Sequence, residues 1–219
     1  MRDFYEELWE RLPEGLEPLD LEVRTTFARD NVRPGDRVLD LGCGDGALSG
    51  VLADAAGASG AGGASGASGA GGASGASGSV VGVDVAQAAL RRARARHPEL
   101  TFTLTPIDGA LPLADGSLDV VWASEVIEHV ADTARWLSEV RRVLVPRGRL
   151  LLTTPNHGRL RLAIGGIERY SEPLGDHLHL YSAKSLREVL AEFGFAVTEL
   201  RAAGGVAPLR RLLFASAAR

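Results

Sequence analysis

The stretch that decides the fold is "RVLDLGCGDG", Arg37 to Gly46. It opens as a short run of buried-strand type, 37–42, and continues with three glycines at alternate positions, Gly42, Gly44 and Gly46. A strand, a tight turn and a helix start make the first unit of a nucleotide-binding α/β sheet. Glycine there lets a ligand approach the backbone and lets helix and strand pack closely. The spacing narrows the ligand. A dinucleotide pyrophosphate favours G-x-G-x-x-G on a helix N-terminus. Here acids stand among alternating glycines, at Asp40 and Asp45. Carboxylates are poorly placed for a pyrophosphate and suit a cationic ligand.

Such a unit needs an acid about 20 residues beyond its first glycine, at the end of the second strand, to bind ribose. Asp84 ends the strand pattern "VVGVD" (80–84), but it lies 42 positions after Gly42. Between them runs "GASGAGGASGASGAGGASGASGS", Gly57 to Ser79, in which "ASGAGGASG" occurs twice in succession from Ala58. Glycine at every third position suggests collagen, but the stretch has no proline, which a triple helix needs in abundance. Each glycine also costs a helix about 1 kcal/mol, and there is too little apolar surface for a buried strand. The composition predicts a disordered insertion over 58–79. Setting those 22 residues aside brings Gly42 and Asp84 to a 20-residue interval. The insertion therefore interrupts one supersecondary unit and does not separate two domains.

The remaining periodicities extend the unit. Helices are expected over 3–11, 20–31, 45–57, 86–97, 132–144 and 182–194, from apolar spacing of three and four residues and from glycine or proline stops. Strands are expected over 101–105, 118–124 and 148–155, with two more over 195–201 and 209–216. Strands alternating with helices, and strands apolar throughout, predict a mostly parallel sheet buried on both faces. The 219 residues, 45% hydrophobic and 24% charged, suit a single domain over 1–219. A net charge of −4 argues against a polyanion partner. The one cysteine, Cys43, allows no intrachain disulfide and fits a reducing compartment. The N-terminus lacks the basic start and apolar core of a signal peptide, and no apolar run reaches the length of a membrane span. A cytoplasmic protein is expected.

Three further signals carry chemistry. Asp84 can accept from both hydroxyls of a ribose, or can cap the helix that follows it. In "PIDGALPLADGSLDVV", Asp108 follows the third strand and can accept from an adenine amino group, with the backbone of Gly109 and Ala110 beside the ring; a polar loop is the alternative. In "SEVIEHV" (124–130), a helical reading puts Glu125, Glu128 and His129 on one face at i, i+3 and i+4. With His177 and His179 of "GDHLHLYS" they could hold a divalent metal, or His129 could serve as general base. A solvated helix face with a capped histidine is the third possibility.

The order "VLDLGCGDG", "VVGVD", "IDGALPLADGSLDVVWASEVIEHV", "LVPRGRLLLTTPN" resembles the S-adenosylmethionine-dependent methyltransferases of the Rossmann-like class over 37–155. The resemblance implies a doubly wound seven-stranded sheet with its last strand antiparallel, and a glycine loop that cradles the methionine end of the cofactor. It implies cofactor contacts from Asp40, Gly42, Cys43, Gly44, Asp84, Val85, Asp108, Gly109 and Ser124. "EVIEH" is similar to the same stretch in ubiquinone-pathway O-methyltransferases, which implies catalytic roles for His129 and Glu128. It is also similar to small-RNA 3′-terminal 2′-O-methyltransferases, which implies a metal held by Glu125, Glu128, His129 and His177. No basic RNA-binding extension is visible, so a nucleic acid partner is not expected. The function expected is O-methylation of a small molecule. Metal-assisted 2′-O-methylation of RNA ends, a nicotinamide-dependent oxidoreductase and a non-catalytic cofactor-binding protein are the alternatives. The N-terminal helices and residues 156–181 are the expected substrate cover, with Tyr170, His157, Tyr181 and Trp122 as candidate contacts and Trp122 more in keeping with packing.

Overall fold

A computed structural model of the chain describes residues 2–58, 78–106, 109–165 and 177–219. Seven strands form one sheet: β1 (Arg37–Leu41), β2 (Ser79–Asp84), β3 (Thr101–Leu104), β4 (Leu118–Ser124), β5 (Leu144–Pro155), β6 (Ala196–Ala203) and β7 (Leu212–Ala218). Their order is β3-β2-β1-β4-β5-β7-β6. The first five pair in parallel, and β7 runs antiparallel between β5 and β6. The expected doubly wound sheet with an antiparallel last strand is present.

Alternation along the central strands buries both faces. Val38, Val120, Trp122 and Leu151 face one side, against Phe27 and Ala28 of α2 (Leu21–Asn31) and Leu52 and Ala56 of α3 (Ser49–Ala56). Leu39, Val121, Ala123, Leu150 and Leu152 face the other. There they meet Trp136, Leu137 and Val140 of α5 (Thr133–Val143), and Leu186 and Leu190 of the helix Ala183–Glu192. That last helix is α7, since α6 is the short Arg159–Gly165. Trp122 is wholly buried and packs 5.9 Å from Phe27. α1 (Arg2–Arg11) buries none of its residues, and it lies against α4 (Gln87–Arg96).

The strand order reverses between β1 and β4, which pair at Asp40 and Trp122. Open α/β sheets bind ligands beyond the C-terminal ends of their strands at such a point. The insertion's flanks lie at the opposite edge. Gly57 ends α3 in left-handed geometry, Ala58 N–H donates to Ala53 O at 2.9 Å, and Ser79 pairs with Arg37 at the start of β1. Ser79 is thus the first residue of β2 and not the last of the insertion. The disorder expected there falls on residues 59–77, outside the described residues.

Two local expectations are corrected. The helix expected from residue 45 starts at Ser49. Gly46, at φ 77°, turns back so that its N–H donates to Cys43 O, and Asp45 Oδ1 accepts from Ala47 N–H. These bonds make a turn where helical bonds would stand. "EVIEHV" is not an α-helix either. Glu125 has φ 56° and donates its N–H to Thr153 O at 2.9 Å, so it continues the pairing of β4 with β5. Only Ile127–His129 form a 3₁₀ turn. Glu125, Glu128 and His129 therefore do not share a helical face.

Candidate functional site

A cavity of about 290 Å³ opens at the switch point. Asp40, Gly42, Cys43, Gly44, Asp84, Val85, Trp122, Ser124, Glu125 and His129 all line it. These are the sequence-expected residues that the fold brings together. Asp108 and Tyr170 lie outside the described residues. Gly109 follows the β3 end of the cavity, with its N–H on Pro106 O at 3.3 Å.

The glycine loop is locked by its own backbone. Gly42 N–H and Cys43 N–H both donate to Val83 O (2.8 and 3.0 Å), and Gly46 N–H goes to Cys43 O at 2.9 Å. Gly44 N–H donates to Asp84 Oδ2 at 2.9 Å. Gly42 and Gly44 have φ of 77° and 55°, a region that L side chains avoid. Space excludes side chains as well: a Cβ on Gly42 would lie 2.6 Å from Val126 Cγ2, and one on Gly44 would lie 2.8 Å from Trp9 Cζ2. A pyrophosphate site needs loop N–H groups aimed at the ligand; here the N–H groups of residues 42, 43, 44, 46 and 47 are all spent within the protein.

The charges facing the cavity are specific. Asp40, 2% exposed, accepts from Ser49 Oγ at 2.6 Å. Burial raises its pKa to about 7, with the Ser49 bond opposing and the charge of Asp84 adding. Asp84 is oriented by Gly44 N–H and by Ala86 N–H at 2.9 Å. Burial pushes its pKa up, and those N–H bonds pull against it. A carboxylate has about four acceptor positions, so Asp84 keeps capacity for hydroxyls. It does not cap α4: Ala86 holds the N-cap position without a side-chain bond. Asp45 differs from the expectation of a cation-facing acid, because Arg96 Nη2 holds its Oδ2 at 2.7 Å. Cys43 is a buried thiol whose pKa burial drives up, so it stays protonated.

Sequence reading missed Arg24. It is 6% exposed, stands on α2 and lines the cavity. Its Nη1 donates to Ser124 Oγ at 3.0 Å, its Nη2 lies 3.5 Å from Glu125 Oε2, and its Nε has no hydrogen-bond partner among the described residues. Thr153 Oγ1 closes the network, 2.9 Å from Ser124 Oγ and 3.1 Å from Glu125 Oε1. Glu125 is thereby drawn to Arg24 and away from Glu128. No local pattern could have shown this, since the two partners are 101 positions apart.

Beside the cavity lies a histidine and carboxylate cluster. Glu128 is fully buried and is not part of the cavity wall. Thr154 Oγ1 donates to its Oε2 at 2.9 Å, and His129 Nε2 lies 3.7 Å from its Oε1. Burial, then the charge of Glu125, pushes the Glu128 pKa up to about 8, with His129 opposing. Leu178 and His179 donate their N–H groups to Glu128 O (2.8 and 3.0 Å), and His179 Nε2 is 3.0 Å from Val130 O. This clamp sets the His177 ring 4.8 Å from the His129 ring. Ligand atoms of Glu128, His129 and His177 all lie within 4.8 Å of one another. His157 and Tyr181 stand apart from the cavity: His157 Nδ1 accepts from Tyr181 N–H at 3.1 Å, which fixes the backbone after β5.

Comparison with known proteins agrees with this geometry. A family model described as "Methyltransferase domain" matches residues 1–200. A Mycolicibacterium smegmatis protein named "Probable S-adenosylmethionine-dependent methyltransferase" is 33% identical over 166 residues, 75% of this chain and 54% of that protein. A demethylmenaquinone methyltransferase of Beutenbergia cavernae is 33% identical over 129 residues, 59% of this chain and 45% of that protein. The chain spans about half the length of the curated relatives it matches. A crystal structure of a SAM-dependent methyltransferase from Aquifex aeolicus superposes with a TM-score of 0.67 at 18% identity, covering 100% of this chain and 98% of that one, which shows the shared fold. The motifs, the switch-point cavity and the family match converge: the chain belongs to the S-adenosylmethionine-dependent methyltransferases of the Rossmann-like class.

Proposed function

We propose that the cavity holds S-adenosylmethionine and that the protein methylates a hydroxyl of a small molecule, with His129 as the base. One observation carries the cofactor placement. The loop N–H groups that would bind phosphate are spent internally, while Asp40, Asp84 and Arg24 line the cavity. Two carboxylates and a guanidinium suit a ligand with a ribose and a zwitterionic amino acid end. Asp84 accepts from the ribose hydroxyls. Arg24, whose Nε has no hydrogen-bond partner among the described residues, meets the carboxylate. Asp40 offsets the cationic amino group.

The bound cofactor supplies an electrophilic methyl group. The chain's own residues position the acceptor and manage its proton. Positioning two reactants supplies much of the rate of such a transfer, and a base at the acceptor hydroxyl adds about 10²–10⁴-fold. His129 is in the cavity wall, and Glu128 behind it orients the ring. Glu128 acts through His129 and does not touch the substrate. The demethylmenaquinone methyltransferase relative supports an aromatic, quinone-like acceptor, and the single buried cysteine supports a cytoplasmic setting. The closeness of Glu128, His129 and His177 supports a second reading, in which these three residues would hold a divalent metal that would supply Lewis-acid chemistry at the acceptor oxygen.

Thermal shift with S-adenosylmethionine, its demethylated product and NAD tests the cofactor. Stabilisation by NAD alone would sink the reading. In Asp84→Ala the shift from S-adenosylmethionine should vanish while the fold survives. Turnover that is unchanged after exhaustive chelation would remove the metal reading and leave His129 as base.

A further inference from the structure

α4 begins at Gln87, three residues after Asp84, and its N-cap residue, Ala86, offers no side-chain cap. The first N–H groups of a helix need acceptors from outside it. Two of them find one on another helix. Glu6 of α1 accepts from Gln87 N–H at 2.6 Å and from Ala88 N–H at 3.0 Å. A carboxylate there also meets the positive end of the helix dipole.

α1 also touches the glycine loop and His129. Trp9 covers Gly44, and the Tyr5 ring meets the His129 ring edge-on at 5.9 Å. Tyr5, Glu6 and Trp9 stand at i, i+1 and i+4, on one flank of α1. Tyr5 and Trp9 line the cavity. Arg92 Nη2 donates to Leu12 O at 2.7 Å, and Arg91 lies 3.6 Å from Glu6. α1 has no fully buried residue, so the half-buried Tyr5, Glu6 and Trp9 and these bonds to α4 hold it in place.

We propose that Glu6 is a positioning residue that latches α1 over the bound cofactor by capping α4, and so sets how long the cofactor stays. The inference rests on the cofactor occupying this cavity. With the latch made, Trp9 and Tyr5 close the site and exclude water from it. With the latch broken, α1 keeps its weaker contacts and opens more often.

The test is a chase. Tritiated S-adenosylhomocysteine is prebound to wild type, Glu6→Ala, Glu6→Gln and Asp84→Ala, then displaced by excess unlabelled compound well below the melting point. Glu6→Ala should release label about 3- to 10-fold faster, as expected for a lost helix cap of ordinary strength. Glu6→Gln keeps one of the two acceptor oxygens and turns an NH2 toward the other N–H, so its release rate should fall between those of wild type and Glu6→Ala. A cofactor-free melt of each variant accompanies the chase. A lowered melt in Glu6→Ala with an unchanged release rate would make the contact merely structural and overturn the latch. Glu6→Gln releasing as fast as Glu6→Ala would overturn the capping role. Label held by Asp84→Ala as firmly as by wild type would instead overturn the placement of the cofactor.

Discussion

Asp40→Asn isolates the charge at the base of the cofactor loop. Asparagine is nearly isosteric and keeps an acceptor for Ser49 Oγ, now 2.6 Å from the carboxylate. In the folded chain the Asp40 pKa is raised from 3.8 to about 7, chiefly by burial. Between those values the folded protein holds a proton that the unfolded chain has lost. Stability therefore falls as pH rises through this window, the reverse of an ion-paired aspartate. One pKa unit corresponds to about 1.4 kcal/mol, so the full cost above pH 7 is about 4 kcal/mol. Roughly 2–3 kcal/mol of it accrues between pH 5 and pH 8. Urea unfolding of the cofactor-free protein across that range should show Asp40→Asn gaining on wild type by this amount. The slope from Asp84, whose pKa is also raised mainly by burial, is shared by both proteins apart from the part that its coupling to the Asp40 charge contributes. A difference that stays constant from pH 5 to pH 8 would refute an uncharged buried Asp40. The same reasoning gives a binding result. The cofactor's cationic end stabilises the carboxylate, so wild-type binding at pH 6 should release up to one proton and tighten as pH rises. Calorimetry in buffers of different ionisation heat reads that proton, and Asp40→Asn should release none.

Three further changes probe the remaining parts. Arg24→Lys keeps the charge but cannot hold Ser124 and Glu125 and also face a ligand; S-adenosylmethionine should bind about 10-fold more weakly, near 1.4 kcal/mol, by titration calorimetry. Gly44→Ala puts a Cβ 2.8 Å from Trp9 at a φ of 55°. It should destabilise the loop by about 1–2 kcal/mol and shift Trp emission as α1 moves. Replacing residues 59–77 with two glycines leaves the bonds of Ala58 and Ser79 intact. Because Gly78 lies against Ala56, a short link can span the gap. Cofactor affinity should stay at the wild-type level and stability should rise by up to about 2 kcal/mol, at about 0.6 kcal/mol per halving of loop length. Loss of binding would show that the repeat serves the site.

What the sequence determined by itself was the order and chemistry of the sheet. Alternating glycines and acids after "RVLDL", an acid after "VVGVD", and apolar strands between helical periods are local patterns, and local patterns survive without tertiary contacts. Recognising 58–79 as an insertion put Gly42 and Asp84 in register, and parallel β1 and β2 bear that spacing out, with Leu41 opposite Val83. Tertiary structure decided the rest. Glu125 reads as helical, yet it extends the pairing of β4 with β5 and turns to Arg24, because sheet bonding at the edge outweighs a four-residue periodicity. Arg24 and Glu6 look like surface positions of amphipathic N-terminal helices, and Trp9 like one residue of an apolar face. Their partners, Ser124, Gln87 and Gly44, are 100, 81 and 35 positions away. Periodicity reports which face of a helix meets the protein and is silent on what that face meets. The sheet brings those distant segments to one edge, and only there do a guanidinium, a capping carboxylate and an indole become parts of one site.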